Sequence, residues 1–167
     1  MKKILDENTI AFFKKCKLLV LDFDGVLTNN KVYLDENGKE TVRCDRGDGL
    51  GLEVLRKKRD IKVVIISKEA NKVVSARAKK LKLDCYQEVD PKVDFFKSYV
   101  EKSGVTLEET CFVGNDVNDI DCLKIAGLSV GVKDSYPEVL EMVDYVTERK
   151  GGDGAVRELC DLLISLQ

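Results

Sequence analysis

The junction between an apolar run at residues 18–21 and two aspartates, Asp22 and Asp24, constrains the fold of this chain more than any other stretch. Four consecutive aliphatic residues, followed by a turn at Gly25, are typical of a central parallel strand covered on both faces. Ligand sites in open α/β sheets lie just beyond the carboxyl ends of such strands. Because side chains alternate along a strand, the two aspartates would face the same side if the extended backbone continued. Two carboxylates held that close require a cation, a shared proton or water.

The rest of the chain repeats this alternation of apolar strands and helices. Further strands are predicted at 61–66, 84–87, 110–113, 128–132 and 145–147. Helices are predicted at 8–15, 52–59, 68–81, 120–126 and 155–166, and two more open at Pro91 and Pro137. Strands that alternate with helices predict an α/β fold, a three-layer sandwich around a mostly parallel, Rossmann-like sheet. We expect residues 1–167 to form a single domain, because no linker or repeat divides the sequence.

Three segments outside this alternation carry their own predictions. Residues 31–44 alternate with a β period around Asn37-Gly38, the strongest short-range signal for a β-hairpin. An isolated hairpin is marginal in water, so we expect it to pack on the domain body or on a neighbouring subunit. The glycine-rich stretch 45–51 is predicted to be a loop, with Asp48 as a candidate cap of the next helix. The C-terminal segment 151–167 begins with glycines and ends in a helix.

Composition narrows the possible chemistry. The chain contains no histidine, which excludes His-based acid/base catalysis, Ser-His and Cys-His nucleophiles and His-ligated zinc. A net charge of −2 and a pI near 5.4 argue against nucleic-acid binding, which needs a basic surface. No apolar run approaches the ~20 residues of a membrane span, and six scattered cysteines without a Cys-x-x-Cys pair argue against disulfides. We therefore expect a cytoplasmic protein that uses carboxylates, lysines, hydroxyls and hard metal ions.

The motif Asp22-Phe-Asp24-Gly-Val-Leu-Thr28 resembles the first motif of the haloacid dehalogenase superfamily of phosphatases. The resemblance implies that Asp22 is the nucleophile and Asp24 the general acid/base. The superfamily also has a Ser or Thr after a second strand, then a Lys, then an acidic loop after a third strand. Ser67, Lys92 and the loop 114–119 occupy these places in chain order. Singly, a helix cap at Ser67 and a solvated Lys92 are simpler explanations, but jointly the residues indicate a phosphatase site.

The resemblance implies a Mg²⁺-dependent reaction through an aspartyl phosphate. Asp22 would attack phosphorus, and Asp24 would protonate the leaving oxygen and then deprotonate the water that breaks the intermediate. The pKa of Asp24 must therefore lie above that of Asp22. Ser67 would hydrogen-bond a phosphoryl oxygen, and Lys92 would neutralise the nucleophile and the phosphate. The metal ligands would be Asp22, the backbone carbonyl of Asp24, and Asn115 or its neighbour Asp116.

Within the superfamily, the hairpin in place of a cap domain, the loop 114–119 and the C-terminal ending resemble the 3-deoxy-octulosonate 8-phosphate phosphatases. That family includes phosphatases of sialic-acid-type nonulosonate 9-phosphates and C-terminal domains of CMP-sialate synthetases. Its members depend on Mg²⁺ and form tetramers in which hairpins associate and neighbouring subunits roof the active site. The resemblance implies a homotetramer that acts on a 2-keto-3-deoxy sugar acid phosphate, with residues 151–157 near the site. The predicted substrate-binding residues are Asp48, Glu69, Lys80 and Arg157.

Two departures from the family pattern leave alternatives open. Asn115 stands where the phosphatases usually carry Asp, and an amide oxygen binds Mg²⁺ without charge, so metal affinity should fall. Synthetase-fused relatives often share this Asn, so a catalytically weak tetramerisation or regulatory module is the second function class. Glu69 stands where octulosonate phosphatases carry Arg, and it would repel a substrate carboxylate unless Lys80, brought by a bend or a neighbouring subunit, intervened. The nonulosonate phosphatases carry the same Glu and Lys, which favours a nine-carbon substrate; a solvated Glu69 is the simpler alternative.

Overall fold

The computed structural model describes residues 5–166. The helices are α1 (Glu7–Lys15), α2 (Arg46–Lys58), α3 (Val73–Leu81), α4 (Lys92–Lys102), α5 (Ile120–Ile125), α6 (Pro137–Leu140) and α7 (Ala155–Ser165). The strands are β1 (Leu18–Leu21), β2 (Thr28–Leu34), β3 (Glu40–Cys44), β4 (Lys62–Ile66), β5 (Asp84–Tyr86), β6 (Thr110–Gly114), β7 (Leu128–Gly131) and β8 (Tyr145–Val146). Within this described part, none of the helices is both long and apolar enough to cross a membrane.

Six strands form one parallel sheet in the order β5-β4-β1-β6-β7-β8. β1 pairs with β4 on one side and with β6 on the other, and all four of its residues are buried. Leu19 and Leu21 pack into a core that also contains side chains of α1, α2, α3 and α7. Leu18 and Val20 pack on the opposite face with side chains of α4, α5 and α6. The predicted three-layer α/β fold is confirmed, because helices cover both faces of a twisted parallel sheet.

The hairpin of β2 and β3 forms a separate antiparallel sheet, which confirms the prediction at 31–44 and extends it back to Thr28. Its turn is held by the Asp35 carboxylate, which accepts the backbone N–H groups of Asn37 and Lys39, each at 2.9 Å. Three apolar side chains of β2 are largely exposed: Val32 at 60%, Tyr33 at 53% and Leu34 at 65%. The hairpin therefore presents an apolar surface to solvent in the single chain.

The predicted glycine-rich loop at 45–51 is wrong, because α2 already begins at Arg46. Asp45 caps this helix by accepting the N–H of Gly47, so Asp48 lies inside the first turn. Glycines disfavour helices, but a Cβ at Gly51 would lie 3.1 Å from the Cα of Arg157 in α7. The close packing of α2 on α7 therefore overrides the local propensity of this stretch.

Helix α3 begins at Val73 rather than at residue 68 as predicted. The side chains of Ser67, Glu69 and Asn71 instead accept backbone N–H groups within the loop 67–73. Local bonds of this kind offer the backbone an alternative to the helical ladder. The resulting loop holds Ser67 and its neighbours at the carboxyl end of β4.

Candidate active site

The carboxyl ends of β1, β4 and β6 lie side by side and border a cavity of about 220 Å³. Polar side chains line this cavity: Asp22, Asp24, Asn30, Ser67, Lys68, Glu69, Asn115, Asp116 and Asn118. Six of these residues were singled out from the sequence as catalytic, substrate-binding or metal-binding, with Asp116 as the alternative to Asn115. The structure thus brings the two aspartates of the first motif together with the ends of the second and third predicted strands, as expected for parallel strands.

Lys92 is the centre of a buried charge cluster next to the cavity. Its Nζ donates to Oδ1 of Asp22 at 2.8 Å and to Oδ1 of Asp119 at 2.7 Å, and the residue is only 3% exposed. Burial lowers the pKa of the Lys92 ammonium, but the two carboxylates raise it by more, so its pKa lies above its ordinary value. Lys92 is therefore a fixed positive charge and not a solvated side chain.

Asp22 is held in this cluster by backbone and side-chain contacts. Its N–H donates to the carbonyl of Val113 at 3.0 Å, which extends the β1–β6 ladder by one residue. Burial and the negative charge of Asp119 raise the pKa of Asp22 to about 7, while Lys92 lowers it. One ammonium thus faces two carboxylates, and this shortage of positive charge fits a site that also takes a metal cation.

Asp119 links the cluster to the loop after β6. Its Oδ2 accepts the N–H of Asn115 at 3.0 Å, while its Oδ1 accepts from Lys92. The carboxylate also forms a reciprocal capping box with Asp116 at the start of the following helical turn. The sequence analysis included Asp119 in the loop 114–119 but gave it no role of its own. Its position at the end of an acidic loop after the third strand was the available signal for its second contact.

Asp24 differs from Asp22 in its surroundings. It is half-buried, and its pKa is raised first by burial and then by the negative charges of Glu69 and Glu40, against a lowering effect of Lys92. A carboxyl group with a raised pKa holds its proton closer to neutral pH, as a general acid must. The two aspartates of the motif have different neighbours, because Asp22 contacts an ammonium and lies near Asp119, whereas Asp24 lies near Glu69 and Glu40. The expectation that the pKa of Asp24 lies above that of Asp22 is not confirmed, since burial and Asp119 raise the pKa of Asp22 to about 7.

Asn115 packs directly against the turn that follows Asp24. A Cβ added at Gly25, whose φ is +80°, would lie 1.9 Å from Nδ2 of Asn115, so only glycine fits here. No group of three or more His, Cys, Asp or Glu side chains within residues 5–166 is arranged to hold a metal. The ligands predicted from the sequence are Asp22, the backbone carbonyl of Asp24 and the side-chain oxygen of Asn115, of which Asp22 and Asn115 line the cavity. This all-oxygen set fits a hard ion such as Mg²⁺.

Ser67 and Glu69 come from the loop after β4. Ser67 is 1% exposed, and its Oγ accepts the N–H of Glu69 at 3.0 Å, which leaves the hydroxyl proton for another acceptor. Glu69 lines the cavity, but its Oε1 accepts the N–H groups of Ala70 and Asn71 at 2.8 and 3.0 Å. One carboxylate oxygen of Glu69 is thus satisfied by its own loop.

Three predicted substrate-binding residues do not line this cavity in the single chain. Lys80 lines a different cavity of about 620 Å³, which we call the cationic cleft: its basic residues are Arg46, Arg56, Lys57, Arg77, Lys80 and Lys82. Asp48 is fully buried, and its Oδ1 accepts the N–H of Arg157 at 2.8 Å, so it caps α7 from α2. Arg157 points its Nε to Asp161, at 2.9 Å from both carboxylate oxygens. These positions follow from the packing of α2, α3 and α7. Packing between distant helices cannot be predicted from a local sequence motif.

Three residues that line the cavity were not assigned a place in it: Asn30, Lys68 and Asn118. Asn30 adopts a left-handed φ of 58° within β2, at the point where the register of the hairpin shifts. Lys68 forms a 2.9 Å ion pair with Asp90. The only sequence feature that could have indicated these positions is that each lies within a few residues of a motif residue.

Comparisons with known proteins agree with this geometry. A family model for haloacid dehalogenase-like hydrolases matches residues 55–159. The 3-deoxy-D-manno-octulosonate 8-phosphate phosphatase KdsC of Escherichia coli (strain K12) is 37% identical over 161 residues, which cover 96% of this chain and 85% of that protein. The structure of a 3-deoxy-D-manno-octulosonate 8-phosphate phosphatase from Yersinia pestis superposes with a TM-score of 0.92 at 33% identity, covering 96% of this chain and 87% of that one.

A third similar protein has been solved with small molecules bound. It is the 3-deoxy-D-manno-octulosonate 8-phosphate phosphatase of Moraxella catarrhalis in complex with a magnesium ion, a phosphate ion and a KDO molecule. Its TM-score is 0.91 at 31% identity, and the match covers 97% of this chain and 94% of that one.

The fold and the paired aspartates at the end of β1 define a phosphoric monoester hydrolase of the haloacid dehalogenase-like class. Phosphatases of this class depend on a metal ion. The chain belongs to the family of the 3-deoxy-D-manno-octulosonate 8-phosphate phosphatases. Of the two function classes that the sequence left open, the enzyme is therefore the correct one.

Proposed function

We propose that the chain is a Mg²⁺-dependent phosphatase that transfers the phosphoryl group of a 2-keto-3-deoxy sugar acid phosphate to Asp22. The observation that carries this proposal is the buried 2.8 Å ion pair between Asp22 and Lys92, next to a cavity that Asp24 also lines. The ion pair fixes the carboxylate for attack and supplies positive charge against the phosphoryl oxygens. The Ser67 hydroxyl is placed to donate to one of those oxygens.

The proposed reaction has two steps. In the first, an oxygen of Asp22 forms a bond to phosphorus while the bond from phosphorus to the sugar oxygen breaks, and Asp24 gives its proton to that oxygen. In the second, Asp24 takes a proton from water, whose oxygen attacks phosphorus and releases Asp22 and inorganic phosphate. The raised pKa of Asp24 supports this double role, because the group must be protonated before the first step and ionised before the second.

The residues that would hold the metal are Asp22, Asp24 through its backbone carbonyl, and Asn115, with Asp116 as the alternative to Asn115. When bound, Mg²⁺ supplies positive charge to the phosphoryl oxygens and to the nucleophile. The magnesium ion in the Moraxella catarrhalis structure supports this choice of metal.

Two substrates are supported by different observations. The names of the relatives and the KDO molecule in one of their structures support the eight-carbon acid, 3-deoxy-octulosonate 8-phosphate. Glu69 supports a nine-carbon nonulosonate 9-phosphate, because it lines the cavity where the octulosonate phosphatases carry Arg. The hydrogen bonds from the N–H groups of Ala70 and Asn71 to Glu69 weaken the argument for the nine-carbon substrate. They show that the Glu69 carboxylate stabilises its own loop, which explains the residue without a contact to substrate. We therefore place the eight-carbon substrate first.

The test is kcat/KM for both phosphates, measured on the wild type and on Glu69→Arg. A wild type that prefers the octulosonate phosphate, with that preference increased in Glu69→Arg, supports the eight-carbon assignment. A wild-type preference for the nine-carbon phosphate that Glu69→Arg reverses supports the alternative. Glu101→Arg, an exposed site on α4, is the matched control for the change of charge. Failure of both phosphates as substrates would contradict the sugar acid assignment altogether.

The proposal includes a homotetramer in the cytoplasm. The exposed apolar side chains of β2 support association of hairpins between subunits. A cavity of about 220 Å³ is at the small end of ligand sites, which supports the proposal that a neighbouring subunit completes its walls. Lys80 can reach the cavity only in that way, and we keep it as a residue that a neighbouring subunit contributes.

A further inference from the structure

The glycine strap, defined as Gly151 and Gly152, lies against the loop that follows β1 and does not line the cavity. A Cβ at Gly151 would lie 1.8 Å from the carbonyl oxygen of Gly25, and one at Gly152 would lie 2.4 Å from the backbone nitrogen of Asn29. Gly152 also donates its N–H to the carbonyl of Val26 at 3.0 Å. The strap therefore contacts the backbone of this loop at such short range that no side chain fits between them.

The strap is itself held on both sides. Oδ1 of Asp134, in the loop after β7, accepts the N–H of Gly151 at 2.9 Å. The same loop donates the N–H of Tyr136 to the carbonyl of Asn115 at 2.9 Å, so it contacts the metal-site loop as well. After the strap, the first turn of α7 is capped by Asp48 through the N–H of Arg157. Asp134 on one side and the capped helix on the other fix the strap in position.

The strap contacts residues 25–29 of this loop, directly after Asp24, and does not contact Asp22. Asp22 is fixed separately, by its ladder bond to β6 and by Lys92. Asp24 immediately precedes Gly25, whose carbonyl the strap touches and whose N–H donates to Oγ1 of Thr28 at 3.0 Å. A displacement of Gly25 would therefore move Asp24, both its side chain and its backbone carbonyl, while leaving the nucleophile in place.

We infer that Gly151, Gly152 and Asp134 are positioning residues for the proton transfer by Asp24. The inference rests on the proposed function, in which Asp24 protonates the leaving oxygen. A sugar alkoxide is a poor leaving group and needs that proton as its bond to phosphorus breaks, whereas p-nitrophenolate leaves without one. A disturbed strap should therefore impair the hydrolysis of a sugar phosphate much more than that of p-nitrophenyl phosphate.

The experiment compares kcat/KM of Gly151→Ala for p-nitrophenyl phosphate and for whichever of the two sugar acid phosphates the wild type hydrolyses faster. The two substrates are compared at saturating Mg²⁺, so that a weaker metal site does not enter the comparison. We expect a loss of about 100-fold for the sugar phosphate and of less than about 5-fold for p-nitrophenyl phosphate. Gly127→Ala is the matched control, because its Cβ would also meet backbone, 2.5 Å from atoms of Glu108, at a site before β7. It should lower the melting temperature without changing the ratio of the two activities.

Asp134 provides a second, milder variant in case Gly151→Ala does not fold. Asp134→Ala removes the acceptor of the Gly151 N–H and should lower the sugar phosphate activity selectively, by about 10-fold. Asp134→Asn keeps an acceptor oxygen and should retain most of that activity.

Asp24→Asn, measured in parallel, separates the inference from the proposed function. If this variant lost both activities equally, the role of Asp24 as the acid would be wrong. If it lost the sugar phosphate selectively while the strap variants lost both substrates equally, or neither, the inference about the strap would be overturned and the mechanism would stand.

Discussion

The charge cluster around Lys92 and the hairpin of β2 and β3 differ in how far a single chain buries their side chains. The cluster is closed within one chain: its ammonium and both carboxylates are almost fully removed from water and bonded to one another. The hairpin leaves apolar side chains of β2 more than half exposed. The difference teaches that one subunit assembles the charge cluster by itself, whereas the proposed enclosure of the substrate would use an apolar surface that a single subunit leaves uncovered.

The first test asks whether the charge cluster around Lys92 is the reactive centre, because the comparison with the hairpin depends on this. Asp22→Asn should reduce kcat by at least about 10⁴-fold, because the covalent bond to phosphorus cannot form, and Asp24→Asn by about 10²- to 10⁴-fold. Steady-state phosphate release measures both, with Asp121→Asn, an exposed site on α5, as the control. An Asp22→Asn enzyme that kept a tenth of the wild-type rate would rule out the aspartyl phosphate.

The hairpin side of the comparison is tested by introducing charge into its apolar surface. Val32→Lys combined with Leu34→Lys should dissociate the tetramer and lower kcat/KM for the sugar acid phosphate by about 10-fold or more. Light scattering reports the mass, and activity measured over a range of protein concentrations shows whether reassociation restores turnover. A wild-type chain that was a stable and fully active monomer would remove the idea.

A smaller effect is expected at the metal ligand. Asn115→Asp should tighten Mg²⁺ binding by about 10-fold, because it restores a negative ligand, and should not reduce activity. Titration of Mg²⁺ followed by calorimetry measures the affinity, and Asn118→Asp, in the same loop, controls for added charge that does not ligate. An unchanged affinity would place the metal on Asp116, and a strong loss of activity would show that Asn115 serves another purpose.

The smallest expected effect concerns Asp48, whose burial raises its pKa to about 6. A carboxyl with a raised pKa in the folded state holds its proton more tightly there, so the wild type loses stability from this group as the pH rises from about 4 to about 6. Asp48→Asn avoids that loss and should gain stability over the wild type across this range, by up to about 3 kcal/mol. Urea unfolding between pH 4 and 7 measures the difference. A difference independent of pH would contradict the raised pKa.

The sheet and the floor of the site were predictable because both follow from short-range patterns. The apolar run at residues 18–21 predicts a buried strand. Polar residues that directly follow parallel strands lie at the same edge of the sheet. Ser67 and Asn115 were located in this way, and Lys92 was located by its place in the superfamily's order of motifs. Their assigned roles as donor, point charge and metal ligand stay predictions until the substitutions are made.

Positions that depend on the packing of distant helices were not predictable. The stretch 45–51 contains three glycines and has the composition of a loop, yet it is helical because α2 packs closely on α7. Asp48 and Lys80 were taken to be near the substrate from resemblance alone, while the structure places one between helices and the other in the cationic cleft. Sequence patterns report which residues share a face, but not which faces meet.

The burial of Lys92 also has a consequence for how the chain folds. Its two bonds join residues that are 70 and 27 positions apart in the sequence. An ammonium gives up its hydration only when both carboxylates are already in place, so β1, α4 and the loop after β6 must all have docked before this cluster forms. We expect catalytic competence to appear among the last events of refolding, after most of the secondary structure is present.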